Sequence, residues 1–286
     1  MSDFQRTLGD SNPAVREALY RGDLYLLPAT PASHALVQEI SAAVDAELGT
    51  SGPARLAQFH LTENEYFEAI GRLRKRFYTE RRFQDQVVEI IASLGFRPEE
   101  HAFDPIRLRA VAHDGHLNPA AAPLYYGHRD TWYSNPQNMI TWWIPLHDVI
   151  PDETFEFYPD EFEQVALNDS ECFDFDTWVQ DGQSRRIGWQ DSQTGRTARY
   201  PQLLSTPAGR VIPVACSAGD ILLFSGQHLH QTRLNQTGKT RFSIDFRTVH
   251  LDDHAHGRTA PNVDNRSTGS SLRQMIRGAD LLASGQ

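Results

Sequence analysis

The sequence predicts a mainly β protein with added helices, an α+β fold in which N-terminal helices pack on one sheet of a β-sandwich or jelly roll. This fold class is predicted by a change in the pattern of residue types along the 286 residues. Residues 1–103 carry apolar groups at helical spacing, whereas residues 104–252 hold short β-branched or aromatic runs separated by Pro, Gly, Asn and Asp. Because no internal repeat or linker interrupts the sequence, we expect one domain over residues 1–286.

Three helices are expected within residues 1–103. The first, SHALVQEISAAVDAELG, repeats apolar residues with a helix period and stops at Gly49. The second follows Thr62 and Glu65, which have the spacing of a capping box. The third, RRFQDQVVEIIASLGF, has Gly95 as its expected C-terminal stop.

The strands are expected beyond Asp104, in IRLRAVAH, NMITWWIPLHDV, TFEFYP, RVIPVACSAGDILLFSG and RFSIDFRTVHL. An irregular polar insertion, roughly residues 160–208, lies among them, and an insertion of this length is usually functional or disordered. Its aromatic residues favour an ordered lid: Phe173, Phe175, Trp178 and Trp189. Residues 253–286 are expected to form a polar C-terminal tail with one short helix.

The composition excludes several classes of protein. A formal net charge of −10 argues against binding to a nucleic-acid backbone, which normally requires a basic face. The N-terminus has no apolar signal region, and no run approaches the length of a membrane span. The two cysteines, Cys172 and Cys216, fit a reducing compartment as small buried side chains. We therefore expect a cytoplasmic protein with a small-molecule partner; the oligomeric state is not predicted.

The stretch YYGHRDTWYSN contains the first candidate for chemistry. On a strand, residues two apart point to the same face, so His128 and Asp130 can present ligand atoms to one point while Arg129 points away. A redox iron(II) site needs two imidazoles and one carboxylate on one face, with other positions left open. Taken alone, the pair fits surface polarity better than a metal site, so a third ligand is required.

A second stretch, GDILLFSGQHLHQTRLNQTGKTRFSIDFRTV, supplies two histidines and a strand of unusual polarity. In this strand Phe242, Ile244 and Phe246 share one face, and the other face carries polar residues, including Arg241. An arginine on the inward face is costly to bury unless it meets an anion. A dicarboxylate held by the guanidinium fork would supply one.

These motifs together resemble the iron(II)/2-oxoglutarate-dependent dioxygenases, specifically their phytanoyl-CoA dioxygenase-like branch. That family carries an HxD motif, a distal histidine after a Gly-Asp strand, and an arginine eleven residues beyond that histidine, as Arg241 lies beyond His230. Counting from His228 breaks this spacing. After the proximal strand the family often reads NG-x-L-x-x-x-PGSH, where this sequence has DETFEFYPDEFEQV, a departure that places it in a divergent group.

The resemblance implies a double-stranded β-helix (jelly roll) and a cofactor set of Fe(II), 2-oxoglutarate and O2. It implies metal ligation by His128, Asp130 and His230, and co-substrate binding by Arg241 with Thr232 and Trp143. It also implies hydroxylation of an unactivated C–H bond, coupled to decarboxylation of 2-oxoglutarate to succinate. Related halogenases replace the carboxylate with a small residue, so Asp130 favours hydroxylation, although desaturation and cyclisation use the same ligands.

The substrate is expected to be a small polar metabolite, such as an amino acid, a sugar acid or a natural-product intermediate. The candidate substrate residues are Tyr126, Trp132, His228, Arg247, Arg186 and Arg199. For the lid arginines a solvated polar loop is the favoured alternative, and for Arg247 an internal ion pair between strands is favoured over contact with the substrate. Two alternatives remain: a cupin-type metalloenzyme that does not use 2-oxoglutarate, and a non-catalytic jelly-roll binding protein.

Overall fold

A computed structural model describes residues 3–9, 11–49, 52–180 and 199–284. Within these ranges the protein is a mixed α+β structure, and no helix there is both long and apolar enough to cross a lipid bilayer. The helices are α1 (Asn12–Tyr20), α2 (Pro31–Leu48), α3 (Glu63–Thr79), α4 (Arg81–Ser93), α5 (Phe175–Gln180), α6 (Leu251–Ala255) and α7 (Gly278–Ala283).

The strands form two antiparallel sheets. They are β1 (Tyr25–Leu27), β2 (His101–Phe103), β3 (Arg107–Val111), β4 (Met139–Pro145), β5 (Phe155–Phe157), β6 (Ile212–Pro213), β7 (Ile221–Ser225), β8 (His230–Thr232), β9 (Arg241–His250) and β10 (Ile276–Arg277). The major sheet has the order β1-β7-β4-β9-β2-β10, with β3 also paired to β9, and the minor sheet has the order β6-β5-β8. The ten-residue strand β9 is therefore the central partner of β2, β3 and β4.

The helix boundaries follow local sequence signals. The three predicted N-terminal helices are confirmed as α2, α3 and α4. Helix α2 ends at Leu48 with Gly49 as its C-cap, and α3 begins with a complete capping box between Thr62 and Glu65. After α4, Gly95 takes a positive φ of 78°, a conformation that glycine adopts without a Cβ clash.

Side chains along the strands of the major sheet point alternately to its two faces, so the hydrophobic core has two layers, one on each face. On β9, Phe242, Ile244 and Phe246 pack with α2, α3 and α4 in one hydrophobic cluster. The opposite, inner face of the same sheet contributes Trp143 and Phe224, which pack on the aromatic rings of β5 in a second cluster. The minor sheet therefore packs on the inner face, which is the face that carries the polar residues of β9.

The chain termini of this fold differ from the sequence prediction. Strand β1 lies inside the segment expected to be helical and pairs with β7. The C-terminal segment is more than a polar tail, because β10 extends the major sheet beside β2 and α7 packs there. Short runs such as Ile276–Arg277 have too few residues for a period-two signal, so the sequence pattern did not reveal them.

Candidate metal centre

Three side chains from the predicted motifs converge at the inner face of the major sheet. His128, Asp130 and His230 each offer one ligand atom, and these atoms lie within 4.8 Å of one another. The convergence expected from the sequence is confirmed. Two imidazoles and one carboxylate form a donor set suited to a divalent transition metal, with coordination positions left free.

The backbone brings the two histidines together directly. The main-chain N–H of His128 donates to the oxygen of His230 at 3.0 Å, and the reverse bond has the same length. The chain then leaves this bridge, because Asp130 begins a short 3-10 turn, Asp130–Tyr133. His128 is therefore presented to the site from a strand-like bridge, as expected. Asp130 reaches the same site from the 3-10 turn and not from a strand.

Hydrogen bonds fix both imidazole rings in a ligating state. The Nδ1 atom of His128 donates to the carbonyl of Tyr126 at 2.8 Å, and Nδ1 of His230 donates to the carbonyl of His228 at 3.0 Å. Because each Nδ1 then carries the proton, each Nε2 lone pair is available to a metal. Burial, followed by the charge of His128, lowers the pKa of His230 to about 4, which keeps this ring neutral.

The carboxylate of Asp130 is held by groups behind it. Its Oδ2 atom accepts a hydrogen bond from Thr141 Oγ1 at 2.6 Å and lies 3.7 Å from Nε of Arg247. Its Oδ1 atom lies 3.6 Å from Nε2 of His128. Burial alone favours the neutral acid, but the charge of Arg247, the hydrogen bond with His128 and the charges of His230 and His128 together outweigh it and hold the pKa of Asp130 well below 3.8. Asp130 is therefore ionised and available as a metal ligand.

A network of ion pairs surrounds Arg247. Its guanidinium lies 3.0 Å from Asp104, in addition to Asp130, and 3.9 Å from Asp245. Asp245 also receives two hydrogen bonds from Arg109. Although burial favours the neutral acid, Arg109 and Arg247 hold the pKa of Asp245 below its usual value. Arg247 therefore forms internal ion pairs, one of the two uses expected for it from the sequence.

Arg241, on the same face of the same strand, has different surroundings. It is 3 % exposed, donates to the carbonyl of Glu153 and to Ser243 Oγ, and lies 5.7 Å from the ring of Trp143. It forms no ion pair with any acid in the part of the chain that the structure describes. Burial, and then the like charge of Arg109, lower its pKa to about 10, so the group stays charged at neutral pH. A buried charge of this kind calls for an anion.

The hydroxyl of Tyr125 is a second unsatisfied group near Arg241. Its Oη atom is buried without a hydrogen-bond partner among the described residues, and the two side chains interact electrostatically. Tyr125, Thr232 and Trp143 line the same cavity as Arg241 and the three metal-ligand candidates. Among the described residues, a hydroxyl donor without an acceptor thus lies beside a guanidinium without a carboxylate partner, an arrangement complementary to a carboxylate.

The cavity that joins these groups has a volume of about 580 Å³. It runs from the metal-ligand candidates past β3 to α3 and to the aromatic residues around α5. Phe173, Phe175 and Trp178, three of the four aromatic residues noted in the insertion, line the cavity, whereas Trp189 lies outside the described residues. The volume falls within the range of small-molecule sites.

The structure does not bring every candidate substrate residue to this cavity. Trp132 is fully buried elsewhere, packing with Tyr158 and Leu229, because the 3-10 turn rotates it away and presents Tyr133 instead. Tyr126 contributes its carbonyl to His128, and its side chain is not among the lining groups.

The remaining candidates divide in the same way. The imidazole of His228 packs on Phe157 and Phe162, outside the cavity lining, and only its carbonyl reaches His230. Arg199 is exposed and pairs with Asp169 at 3.5 Å. Arg247 does line the cavity. Arg186 lies outside the described residues.

An anchor that the sequence did not suggest holds the HxD segment from behind. Arg129 and Asp264 form a fully buried ion pair at 3.1 Å, and Trp132 Nε1 donates to the same carboxylate at 2.8 Å. Arg129 also donates to the main-chain oxygens of Gln227 and Glu161. The C-terminal segment therefore ties the two metal-ligand segments together.

Several residues around the site were not predicted from the sequence, and only some of them could have been. Thr141 lies two residues before Trp143 on β4, so strand parity could have placed it on the inner face. Tyr125 and Tyr133 lie in irregular or 3-10 segments, where no period points to a face. Asp264 lies in a loop far along the sequence, and only the folded structure pairs it with Arg129.

No protein-family model matches the chain, and no curated protein sequence matches it. Solved structures similar to it include a non-heme monooxygenase, ThoJ in its apo form, at 12% identity, covering 94% of this chain and 93% of that chain, with a TM-score of 0.44. EvdO2 from Micromonospora carbonacea var. aurantiaca, complexed with 2-oxoglutarate, has 12% identity, coverage of 85% and 93%, and a TM-score of 0.46. The epimerase SnoN, in complex with Fe3+, alpha ketoglutarate and nogalamycin RO, has 16% identity, coverage of 83% and 84%, and a TM-score of 0.41.

Proposed function

We propose that this protein is a non-haem Fe(II)/2-oxoglutarate-dependent oxygenase that hydroxylates a C–H bond of a small molecule. The observation that carries the proposal is the coexistence, in one cavity, of a His-Asp-His cluster and a buried guanidinium that has no acid partner among the described residues. We further propose that residues 1–286 form one domain and that the two packed sheets form a double-stranded β-helix.

The chemistry of the donor set supports iron. A two-histidine, one-carboxylate set is typical of non-haem Fe(II) oxygenases, which keep open positions for substrate and oxygen. His128 and His230 present Nε2 lone pairs fixed by their Nδ1 hydrogen bonds, and Asp130 supplies the charge. Thr141 and Arg247 orient the carboxylate by holding its Oδ2 atom, which leaves Oδ1 to the metal.

The surroundings of Arg241 support a dicarboxylate co-substrate. Arg241 would hold the far carboxylate of 2-oxoglutarate, and Tyr125 and Thr232 would offer it hydroxyl groups, in the same cavity as the three metal-ligand candidates. The ring of Trp143 stands against the guanidinium and limits the movement of both.

Once bound, Fe(II) and 2-oxoglutarate would supply the oxidation of a C–H bond by O2, with release of carbon dioxide and succinate. The protein supplies position, dryness and charge. Aromatic rings around the ligands exclude water, including those of Phe155 and Phe224, 5.9 and 5.3 Å from the ring of His230. Because Asp130 is a carboxylate, no coordination position is vacated for a halide, which favours hydroxylation.

Each of the two alternatives leaves part of the site without a role. A cupin-type enzyme that does not use 2-oxoglutarate has no need for a buried guanidinium without a counterion. A binding protein without catalysis has no need for two histidines with matched tautomers beside an ionised aspartate.

Succinate formation tests the proposal. Protein supplied with Fe(II), 2-oxoglutarate and O2 should convert 2-oxoglutarate to succinate, slowly without substrate. Asp130→Ala should abolish both Fe(II) binding and succinate formation. Asp45→Asn, an exposed acid on α2, is the control and should leave both unchanged. Retention of Fe(II) binding and of succinate formation by Asp130→Ala would contradict the proposal.

A further inference from the structure

The cavity continues beyond the metal-ligand candidates into a space with a different lining, which we call the outer chamber. Its lining includes aromatic and apolar residues of α3 and of the segment around α5: Phe67, Ile70, Tyr78, Phe173, Phe175 and Trp178. The groups proposed for iron and 2-oxoglutarate lie on β4, β8, β9, the HxD turn and the 3-10 segment that ends at Tyr125. The outer chamber is therefore available to the substrate while the co-substrate is bound.

An unbroken aromatic surface leads from the metal site into the outer chamber. The ring of Tyr133 lies 5.3 Å from the ring of His128, 5.5 Å from Phe173 and 6.2 Å from Tyr200. Phe173 continues to Trp178 at 6.3 Å. A small polar metabolite would leave these rings in contact with water, whereas a ring-bearing apolar body would bury them and gain stacking contacts.

The size of the cavity points in the same direction. A volume of about 580 Å³ suits a drug-sized ligand, and a five-carbon diacid fills only the part next to Arg241. A substrate that fills the rest has to be considerably larger than an amino acid.

Several guanidinium groups of the outer chamber share two carboxylates. Arg74, Arg107 and Arg109 line the chamber together with Asp245. Arg107 pairs with Asp104 and Arg109 with Asp245, and both acids are also shared with Arg247. The other acids of the lining lie toward its edge: Glu63 is exposed, and the partly exposed Asp114 is 3.3 Å from His113. Burial, and then the nearby charge of Arg109, lower the pKa of Arg74 to about 10. Guanidinium groups that share fewer carboxylates can also hold the acidic group of a ligand through charge-assisted hydrogen bonds.

We propose that the substrate is a mostly apolar, ring-bearing molecule with one acidic group, rather than the small polar metabolite expected from the sequence. This inference rests on the proposed function. The apolar body packs on Tyr133, Phe173 and Trp178, and the acidic group is directed to the guanidinium groups near Arg74.

Calorimetric titration of protein loaded with Fe(II) and saturated with 2-oxoglutarate, under anaerobic conditions, tests the inference. Three probes separate its parts: 2-naphthoate, 2-naphthamide and gluconate. We expect 2-naphthoate to bind about tenfold more tightly than the neutral amide, because only the acid can form a charge-assisted contact. Gluconate should bind weakest, and 2-naphthoate should show a negative heat-capacity change, which marks apolar burial.

Two variants with matched truncations locate the binding. Phe173→Leu removes a ring of the outer chamber and should weaken 2-naphthoate by about fivefold. Phe162→Leu removes an equally buried ring outside the cavity lining and should leave the affinity unchanged. If either truncation prevents folding, Tyr78→Ala alters a partly exposed ring on α3 and should also weaken 2-naphthoate.

Equal affinity for gluconate and 2-naphthoate would overturn the inference, as would equal weakening by the Phe173 and Phe162 variants. Equal affinity for the acid and the amide would overturn the anionic part of it. Fe(II) and 2-oxoglutarate binding, measured on the same preparations, distinguishes a failure of the proposed function from a failure of the substrate inference. Their loss contradicts the proposed function, whereas their retention without 2-naphthoate binding contradicts only the substrate class.

Discussion

The two ends of the inner face of β9 carry the same side chain in opposite circumstances. Arg247 lies within 4.0 Å of three carboxylates, those of Asp104, Asp130 and Asp245. Arg241, six residues earlier on the same face, has no acid within that distance among the described residues and donates only to a carbonyl and a hydroxyl. Both guanidinium groups are buried.

The difference separates a structural charge from a binding charge. The three acids hold the pKa of Arg247 above its usual value despite burial, whereas burial and a like charge lower the pKa of Arg241. A charge that is already neutralised within the fold stabilises the site, and a charge that is not neutralised attracts a ligand. On this comparison, removal of Arg247 should harm folding, and removal of Arg241 should harm ligand binding.

The largest expected effect is the loss of stability in Arg247→Leu. Breaking a buried ion pair by removing one partner costs about 3–5 kcal/mol, because the acids left behind remain buried. Urea unfolding of the metal-free protein measures the change. The matched variant Arg241→Leu should unfold at the same or a higher urea concentration, since it removes a buried charge without breaking an ion pair. Equal destabilisation by the two variants would contradict the distinction between a structural and a ligand-binding arginine.

The same acids predict how stability depends on pH. The folded protein holds the pKa values of Asp130 and Asp245 below 3.8, so their stabilisation is complete above their unfolded pKa values and is lost as the pH falls through the folded ones. In Arg247→Leu the folded pKa values rise, and the acid-unfolding midpoint of metal-free protein should move to higher pH. An unchanged acid-unfolding midpoint would show that Arg247 does not lower the pKa values of these carboxylates.

Thr141→Val tests the support of the metal ligand. Removing the hydroxyl leaves Asp130 in place but frees its Oδ2 atom, and the loss of such an outer partner typically lowers metal affinity by about 10- to 100-fold. Competition with a chelator measures the Fe(II) affinity. Thr232→Val, the same change on β8, is the control and should leave metal affinity unaltered.

The smallest expected effect is that of Tyr125→Phe on 2-oxoglutarate. Loss of one hydroxyl donor should weaken binding by about 0.5–1.5 kcal/mol without altering Fe(II) affinity. A titration of Fe(II)-loaded protein measures it. An unchanged 2-oxoglutarate affinity would show that the buried hydroxyl serves another partner.

The sequence predicted those parts of the site that lie on regular strands. The alternation in RFSIDFRTV placed Arg241 and Asp245 on the face opposite Phe242, and the structure confirms it. The turn at Asp130 could not be read in the same way, since a 3-10 segment has no period-two face, and Trp132 was therefore placed in the wrong direction. Buried ion pairs between distant segments, such as Arg129 with Asp264, leave no local pattern.

The central claim is that Arg241 recognises the far carboxylate of 2-oxoglutarate beside a metal held by His128, Asp130 and His230. The direct test is the affinity of anaerobic Fe(II)-loaded protein for 2-oxoglutarate and for 2-oxopentanoate, which lacks that carboxylate, in wild type and Arg241→Leu. We predict that wild type prefers 2-oxoglutarate by about 10- to 150-fold, the equivalent of about 1.5–3 kcal/mol, and that the variant has lost this preference. A variant that keeps the full preference would contradict the account.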